Sequence, residues 1–237
     1  MFLNNYHMSW NEFLSNDILI MLKRIEKQIG DDYTPDDINV LRFLHMDVKN
    51  IKVVILGQDP YHSTYKDNLK VANGRAFEPE NLYDWHDKFR QVSLKNIIRL
   101  IHKSINEIEE YDNILKYNEI VKEIDYGRFN LKRPHDFFNS IENQGVLLLN
   151  TAFTTKLHQA NAHKKLWEPF TIELIKFLNS KDIYWFLWGK NSLDYEEYIE
   201  GIKIISNHPM MCSKKYENDF LKSSCFKDTK NIINWLG

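Results

Sequence analysis

The stretch VVILGQDPYH, residues 53–62, decides the fold. Four apolar residues, Val53 to Leu56, break at Gly57 into Gln58, Asp59, Pro60, Tyr61 and His62. A half-buried strand alternates apolar and polar residues, whereas an unbroken apolar run is what a strand covered on both faces looks like. Three further runs read the same way: VLLL at 146–149, IYWFLW at 183–188 and IKIIS at 202–206. Helical patterns lie between them. Leu94, Ile97, Ile98, Ile101, Ile105 and Ile108 recur at spacings of three and four, which makes one apolar helix face. EPFTIELIKFLNS (168–180) reads as a helix with Pro169 in its first turn, where the missing N–H leaves nothing unpaired. Strand and helix in alternation imply an α/β fold built on a parallel sheet.

A chain of 237 residues that is 43% hydrophobic can bury one sizeable core, and a single domain over 1–237 is the expectation. Charged residues make up 27% and the formal net charge is -2, so any contact with a polyanion has to be local. The opening MFLNNYHMSWNEFL lacks a basic segment followed by an apolar one, and no apolar run reaches the ~18 residues of a membrane span. The reading is an intracellular protein without a membrane partner, cytoplasmic or, in a eukaryotic host, nuclear. Cys212 and Cys225 form no C-x-x-C pair and read as small packing residues of a reducing compartment. The polar stretch 109–133, with scattered apolar positions, reads as an inserted helix and surface loop.

The residues just after each apolar run are more informative than the run itself. Asp59 lies beyond the first, Asn150-Thr151 beyond the second, Gly189-Lys190-Asn191 beyond the third and Asn207-His208-Pro209 beyond the fourth. Ligands of open parallel sheets bind beyond the carboxyl ends of the strands, so Asp59, Asn150 and His208 are candidates for one site. Each also has a plain structural reading: Asp59-Pro60 as a helix N-cap with proline in the first turn, Asn150 as a loop residue, His208 as a turn. Taken together they are a carboxylate, an amide able to read the polar edge of a flat heterocycle, and an imidazole able to donate to an oxygen gaining charge.

Other chemistries lack their patterns. No G-x-x-x-x-G-K-[ST], G-x-G-x-x-G or G-x-S-x-G occurs, and each is the mark of a phosphate cradle or nucleophile elbow. His158 and His163 are spaced off the i, i+4 face of a zinc helix, and P-C-x-x-C is missing.

GQDPYH (57–62), then GVLLLNTAFTT, HQANAH, WEPFT, FLWGK and NHP in this order, resemble the uracil-DNA glycosylases, specifically family 1. The resemblance runs from about Ser9-Trp10 to the terminal NWLG. It implies a central four-stranded, mostly parallel sheet flanked by helices. It also implies hydrolysis of the bond between uracil and deoxyribose in single- and double-stranded DNA, with the base flipped out, free uracil released and an abasic site left behind. By residue, it implies Asp59 and His208 as catalytic groups, the first stabilising the cationic sugar and positioning water, the second donating to uracil O2. Tyr61 matches the ring that excludes thymine, Phe77 the ring stacked on uracil, Asn150 the amide on its polar edge, and Gln58 a pocket residue whose backbone helps bind the base. No metal or cofactor is implied, and the partners are uracil-containing DNA and a DNA-mimicking protein inhibitor, with the protein itself a monomer.

The chain also departs from the family's pattern. STYKDNLKVANGRAF is longer than the family's segment before the stacking phenylalanine, and Asn73 replaces its usual histidine. QVSLKN keeps Ser93 of a phosphate-gripping turn without that turn's prolines. HPMMCS stands where the family has a leucine that fills the hole left by the flipped base, with Cys212 at the leucine position and Ser213 at the final serine. Met210 or Met211 is then a candidate wedge, methionine being among the side chains that open base steps; the plain reading is that both pack inward. His163 matches a position beside the DNA backbone. Two other functions compete with catalysis on uracil: a glycosylase-like scaffold that only binds, and a glycosylase for another base.

Overall fold

The computed structural model describes residues 2–180 and 182–237. Strands β1 (Val53–Gly57), β2 (Val146–Asn150), β3 (Tyr184–Trp188) and β4 (Ile202–Ser206) form one sheet in the order β2-β1-β3-β4. Every neighbouring pair is parallel, so the expected mostly parallel sheet is wholly parallel. The helices are α1 (Asn16–Ile29), α2 (Asp37–Val40), α3 (Val92–Ile105), α4 (Tyr117–Asp125), α5 (Pro134–Asn143), α6 (Lys164–Leu178), α7 (Lys190–Leu193) and α8 (Cys225–Asp228). Among the described residues no helix is long and apolar enough to cross a membrane.

The unbroken apolar runs are explained by two cores, one on each face of the sheet. Val54, Leu56, Leu147, Leu149, Trp185 and Leu187 point into the core that also holds α1 and α6 residues. Their neighbours Val53, Ile55, Val146, Leu148, Phe186 and Trp188 point into the core that holds residues of α3, α4, α5 and α8. Successive side chains of a strand face opposite ways, so burial on both faces demands apolar residues at every position.

The structure corrects three details of the sequence reading. β4 is not covered on both faces: Ile202 and Ile205 are 44% and 43% exposed, whereas β2, at the opposite edge of the sheet, is buried throughout. Pro169 is not in a first turn but inside α6, which begins at Lys164. A proline there costs ~3 kcal/mol, which is offset by burying Phe170, Leu174 and Ile175 on the same helix at roughly 1.5–3 kcal/mol each. The 109–133 stretch contains α4 as expected, yet its loops are not simply surface. Ile114, Phe129 and Leu131 are buried beside Tyr117 and Ile120 of α4. A helix this short is marginal on its own, and that apolar face holds it against α3.

Candidate active site

The carboxyl ends of β1 and β2 fix the first two groups. Gly57 and Asn150 are register partners, and a Cβ on Gly57 would stand 2.5 Å from Asn150 Oδ1 and 2.8 Å from the Ala76 Cβ. Only glycine leaves the Asn150 amide its place. At the end of β3 the same thing recurs. Gly189 has φ +88, and a Cβ there would lie 2.8 Å from the His208 Cβ; this glycine lets the loop after β4 close over the sheet.

No helix begins at Asp59-Pro60, so the capping reading of Asp59 fails. Its carboxylate is instead held at both oxygens. Oδ1 accepts from the Gln58 amide at 3.0 Å and Oδ2 from the backbone N–H of Asn161 at 2.6 Å. Gln58 in turn accepts from the Asn191 amide, and its carbonyl accepts from the Thr151 hydroxyl at 2.8 Å. The Gln58 side chain thus orients Asp59. The HQANAH loop packs onto the same stretch, with the His158 N–H donating to the His62 carbonyl at 2.6 Å.

Asp59, Asn150, His208, Tyr61, Phe77, Gln58 and Ser93 line one cavity of about 210 Å³. That is smaller than the ~300–1,000 Å³ of a pocket for a drug-sized molecule and suits a single heterocycle. The Tyr61 hydroxyl donates to the Phe77 carbonyl at 3.1 Å, and burial pushes its pKa up. Phe77 sits in the left-handed region at φ +66, with its ring 6.4 Å from the His208 imidazole and 5.5 Å from Trp188, centroid to centroid. His208 is half-buried, and this desolvation holds its pKa below the ordinary histidine value. Its Nδ1 lies 3.2 Å from the Met210 N–H and accepts from it, which assigns the ring proton to Nε2.

The sequence reading missed the groups that hold these side chains. Arg75 is buried between Glu78 at 2.8 Å, Asn139 at 2.8 Å and the Glu142 carboxylate. Those carboxylates raise its pKa against the opposing effect of burial. Asn191 and Asn161 bind the Gln58–Asp59 pair. The available signal was only their place beside motifs already singled out, GRAF, FLWGK and HQANAH.

His163 is placed inward, not on the open surface that a position beside the DNA backbone suggests. It is 3% exposed and its Nδ1 lies 3.0 Å from the Thr154 hydroxyl, an oxygen that also accepts from Trp167 Nε1 at 2.7 Å. A ring held in this way anchors the HQANAH loop. In HPMMCS the inward-packing reading of the methionines also fails, since Met210 and Met211 are 61% and 54% exposed. They border a second cavity of about 160 Å³ that shares Gly57, Gln58 and His208 with the first. Cys212 is the residue turned inward: its thiol donates to the Pro209 carbonyl at 3.3 Å, and burial together with Asp219 pushes its pKa up to about 12. Ser213 donates its backbone N–H to Asp219 at 2.6 Å.

No protein-family model matches the chain. Curated relatives do. The uracil-DNA glycosylase of Borreliella burgdorferi is 32% identical over 251 residues, covering 96% of each chain. That of Francisella philomiragia is 30% identical over 239 residues, covering 94% of this chain and 90% of its own. Among solved structures, the UNG of Nitratifractor salsuginis superposes with a TM-score of 0.69 at 16% identity, covering 96% of this chain and 92% of that one. A mimivirus UNG variant in complex with UGI gives 0.65 at 23% identity, covering 87% and 73%. These structures share the fold, and the curated relatives, matched over nearly their whole length, show the kinship: the chain belongs to the uracil-DNA glycosylase family, hydrolases of N-glycosyl bonds that act in DNA repair.

Proposed function

We propose that this enzyme flips uracil out of single- and double-stranded DNA into the 210 Å³ cavity and cleaves its glycosidic bond there. The observation that carries the reading is the convergence of Asp59, Asn150, His208, Tyr61 and Phe77, from four separate parts of the chain, on that one cavity. Flipping costs a few kcal/mol and is repaid inside by stacking on Phe77 and by hydrogen bonds from the Asn150 amide. The C1′–N1 bond breaks with its electron pair leaving on uracil, so positive charge grows on the sugar and negative charge on uracil O2. Asp59, held at both oxygens, faces the first charge; the Nε2–H of neutral His208 donates to the second. Water then adds through its oxygen to C1′ and its proton passes to the uracil anion, which leaves an abasic sugar and free uracil. Tyr61, fixed by its bond to the Phe77 carbonyl, fills the space of the 5-methyl group of thymine. Rigid exclusion matters because ordinary apolar contacts discriminate a methyl by only about 1–3 kcal/mol.

Exposed Met210 and Met211 are the side chains suited to enter the duplex where the base has left, and Ser93 borders the same mouth. Half-buried Cys212 is not. Because the mimivirus UNG variant binds UGI, a protein that imitates the shape and charge of DNA is a second partner for this groove. The test is incubation with uracil-containing single- and double-stranded oligonucleotides, beside Asp59→Asn. The wild type releases uracil from both, and the variant is slower by about 10²–10³-fold, the usual loss of one preorganised electrostatic group. Wild type without abasic product, or Asp59→Asn at full rate, contradicts the reading.

A further inference from the structure

The tip of HPMMCS is exposed, yet the backbone on both sides of it is tied down. On one side the Asn96 amide, on α3, donates to the Pro209 carbonyl at 2.6 Å. Arg99 donates to Asn96 Oδ1 at 3.0 Å and to the Leu115 carbonyl at 2.8 Å. On the other side stands Asp219, a carboxylate only 1% exposed. Its Oδ2 accepts the Ser213 N–H at 2.6 Å, and its Oδ1 accepts the Leu221 N–H at 2.9 Å and the Tyr111 hydroxyl at 3.1 Å. Next to it Lys214 pairs with Asp112. Leu115, Tyr111 and Asp112 all belong to the 109–133 stretch, so that stretch reaches one foot of the loop directly, through Asp219 and Lys214, and the other through Arg99 and Asn96.

Methionine has several freely rotating bonds. A methionine wedge can be aimed only by the backbone that carries it, and here the fixed points at Pro209 and Ser213 flank the two exposed residues. A buried carboxylate with three donors makes strong, charge-assisted bonds that are expensive to break. We propose that Asp219 is a positioning residue for the Met210–Met211 tip, and that Tyr111 and Leu115 make the 109–133 stretch the brace of that tip. This rests on the reading above that the tip enters duplex DNA.

The experiment measures kcat/KM on duplex and single-stranded uracil oligonucleotides for Asp219→Asn, Tyr111→Phe and the double variant Met210→Ala/Met211→Ala. It also follows the fluorescence of 2-aminopurine beside the uracil as the base is displaced. Loss of one or two hydrogen bonds to the carboxylate is expected to lower duplex activity about 5- to 20-fold. Single-strand activity stays within about twofold, and the fluorescence rise slows with the duplex rate. Equal losses on both substrates, or unchanged duplex activity, overturn the proposal. If the methionine variant loses more on duplex than on single strands while the other two do not, positioning alone fails. If the methionine variant loses both equally, the wedge reading falls and the proposal falls with it. Tyr111→Phe removes one hydroxyl and keeps the ring, so it decides the matter if Asp219→Asn does not fold.

Discussion

His208 shows what a single residue needs beyond its identity. Half-burial disfavours the imidazolium and moves its pKa down from the ordinary value, while the Met210 N–H occupies Nδ1. Above that lowered pKa the ring is neutral and Nε2 carries the proton; as pH falls through it, Nδ1 gains a proton and loses its role as acceptor. The acid limb of kcat assigned to His208 is therefore expected below pH ~6.5, the unperturbed histidine value, and NMR titration of the ring should give the same midpoint. A midpoint at or above that value would contradict the geometry. Folding responds with the same sign: as pH drops below the unfolded value, the unfolded chain takes a proton the folded ring resists, and stability is lost until the folded pKa is passed. Asp59, Asn150, His208, Tyr61 and Phe77 were legible in sequence because each sits at a strand end or in a short ordered motif. Arg75, Asn96 and Asp219 were not. Their function comes from partners far away in the chain, such as Glu142 for Arg75 and Pro209 for Asn96, and nothing local announces such a pair.

Among the elements, the segment carrying Phe77 stores the clearest strain. A non-glycine residue at φ +66 costs of order 1–3 kcal/mol, so its flanks must hold it by more than that. Arg75 and Glu78 do, through the buried network with Glu142 and Asn139. Arg75→Leu leaves buried Glu78 and half-buried Glu142 without their cation, a loss of about 3 kcal/mol, the low end for a broken buried pair, that denaturant unfolding should read directly. It should also raise KM for uracil DNA, because Phe77 is freed to leave the left-handed conformation. A variant of wild-type stability and KM would show that the network is incidental. At this scale the strands were readable and their surroundings less so. IKIIS has the composition of a covered strand, but composition cannot say which elements pack over β4. Pro169 suggests a helix start, and only the buried face from Trp167 onward shows why α6 begins before it. The apolar positions of 109–133 looked scattered because they pack from two loops and one short helix instead of a single face.

For the whole molecule, the order β2-β1-β3-β4 puts β1 beside both its sequence successors, and the site opens where the chain reverses direction across the sheet, as open parallel sheets require. The net charge of -2 gives no long-range pull toward DNA, and the cations near the site are partly engaged. Lys164 contacts Asp194 at 2.7 Å and Asn191 at 3.2 Å, and Lys214 pairs with Asp112. The salt dependence of KM on duplex DNA is expected to be shallow, a log–log slope of magnitude below about 4, since each neutralised phosphate contributes ~0.9. Initial rates between about 50 and 200 mM salt measure it, and a steeper slope would mean that these lysines leave their carboxylates for phosphates.

Gly57 and Gly189 also tie the site to the gene that encodes it. Both are needed for the atom they lack, since a Cβ at either would strike Asn150 or His208. Every glycine codon begins with two guanines, each paired with a cytosine on the opposite strand. Deamination of one of those cytosines gives uracil, and if replication copies it the codon becomes one for serine, arginine, aspartate or glutamate. The lesion this enzyme removes from DNA is also one that, left in its own gene, would fill the space its site depends on.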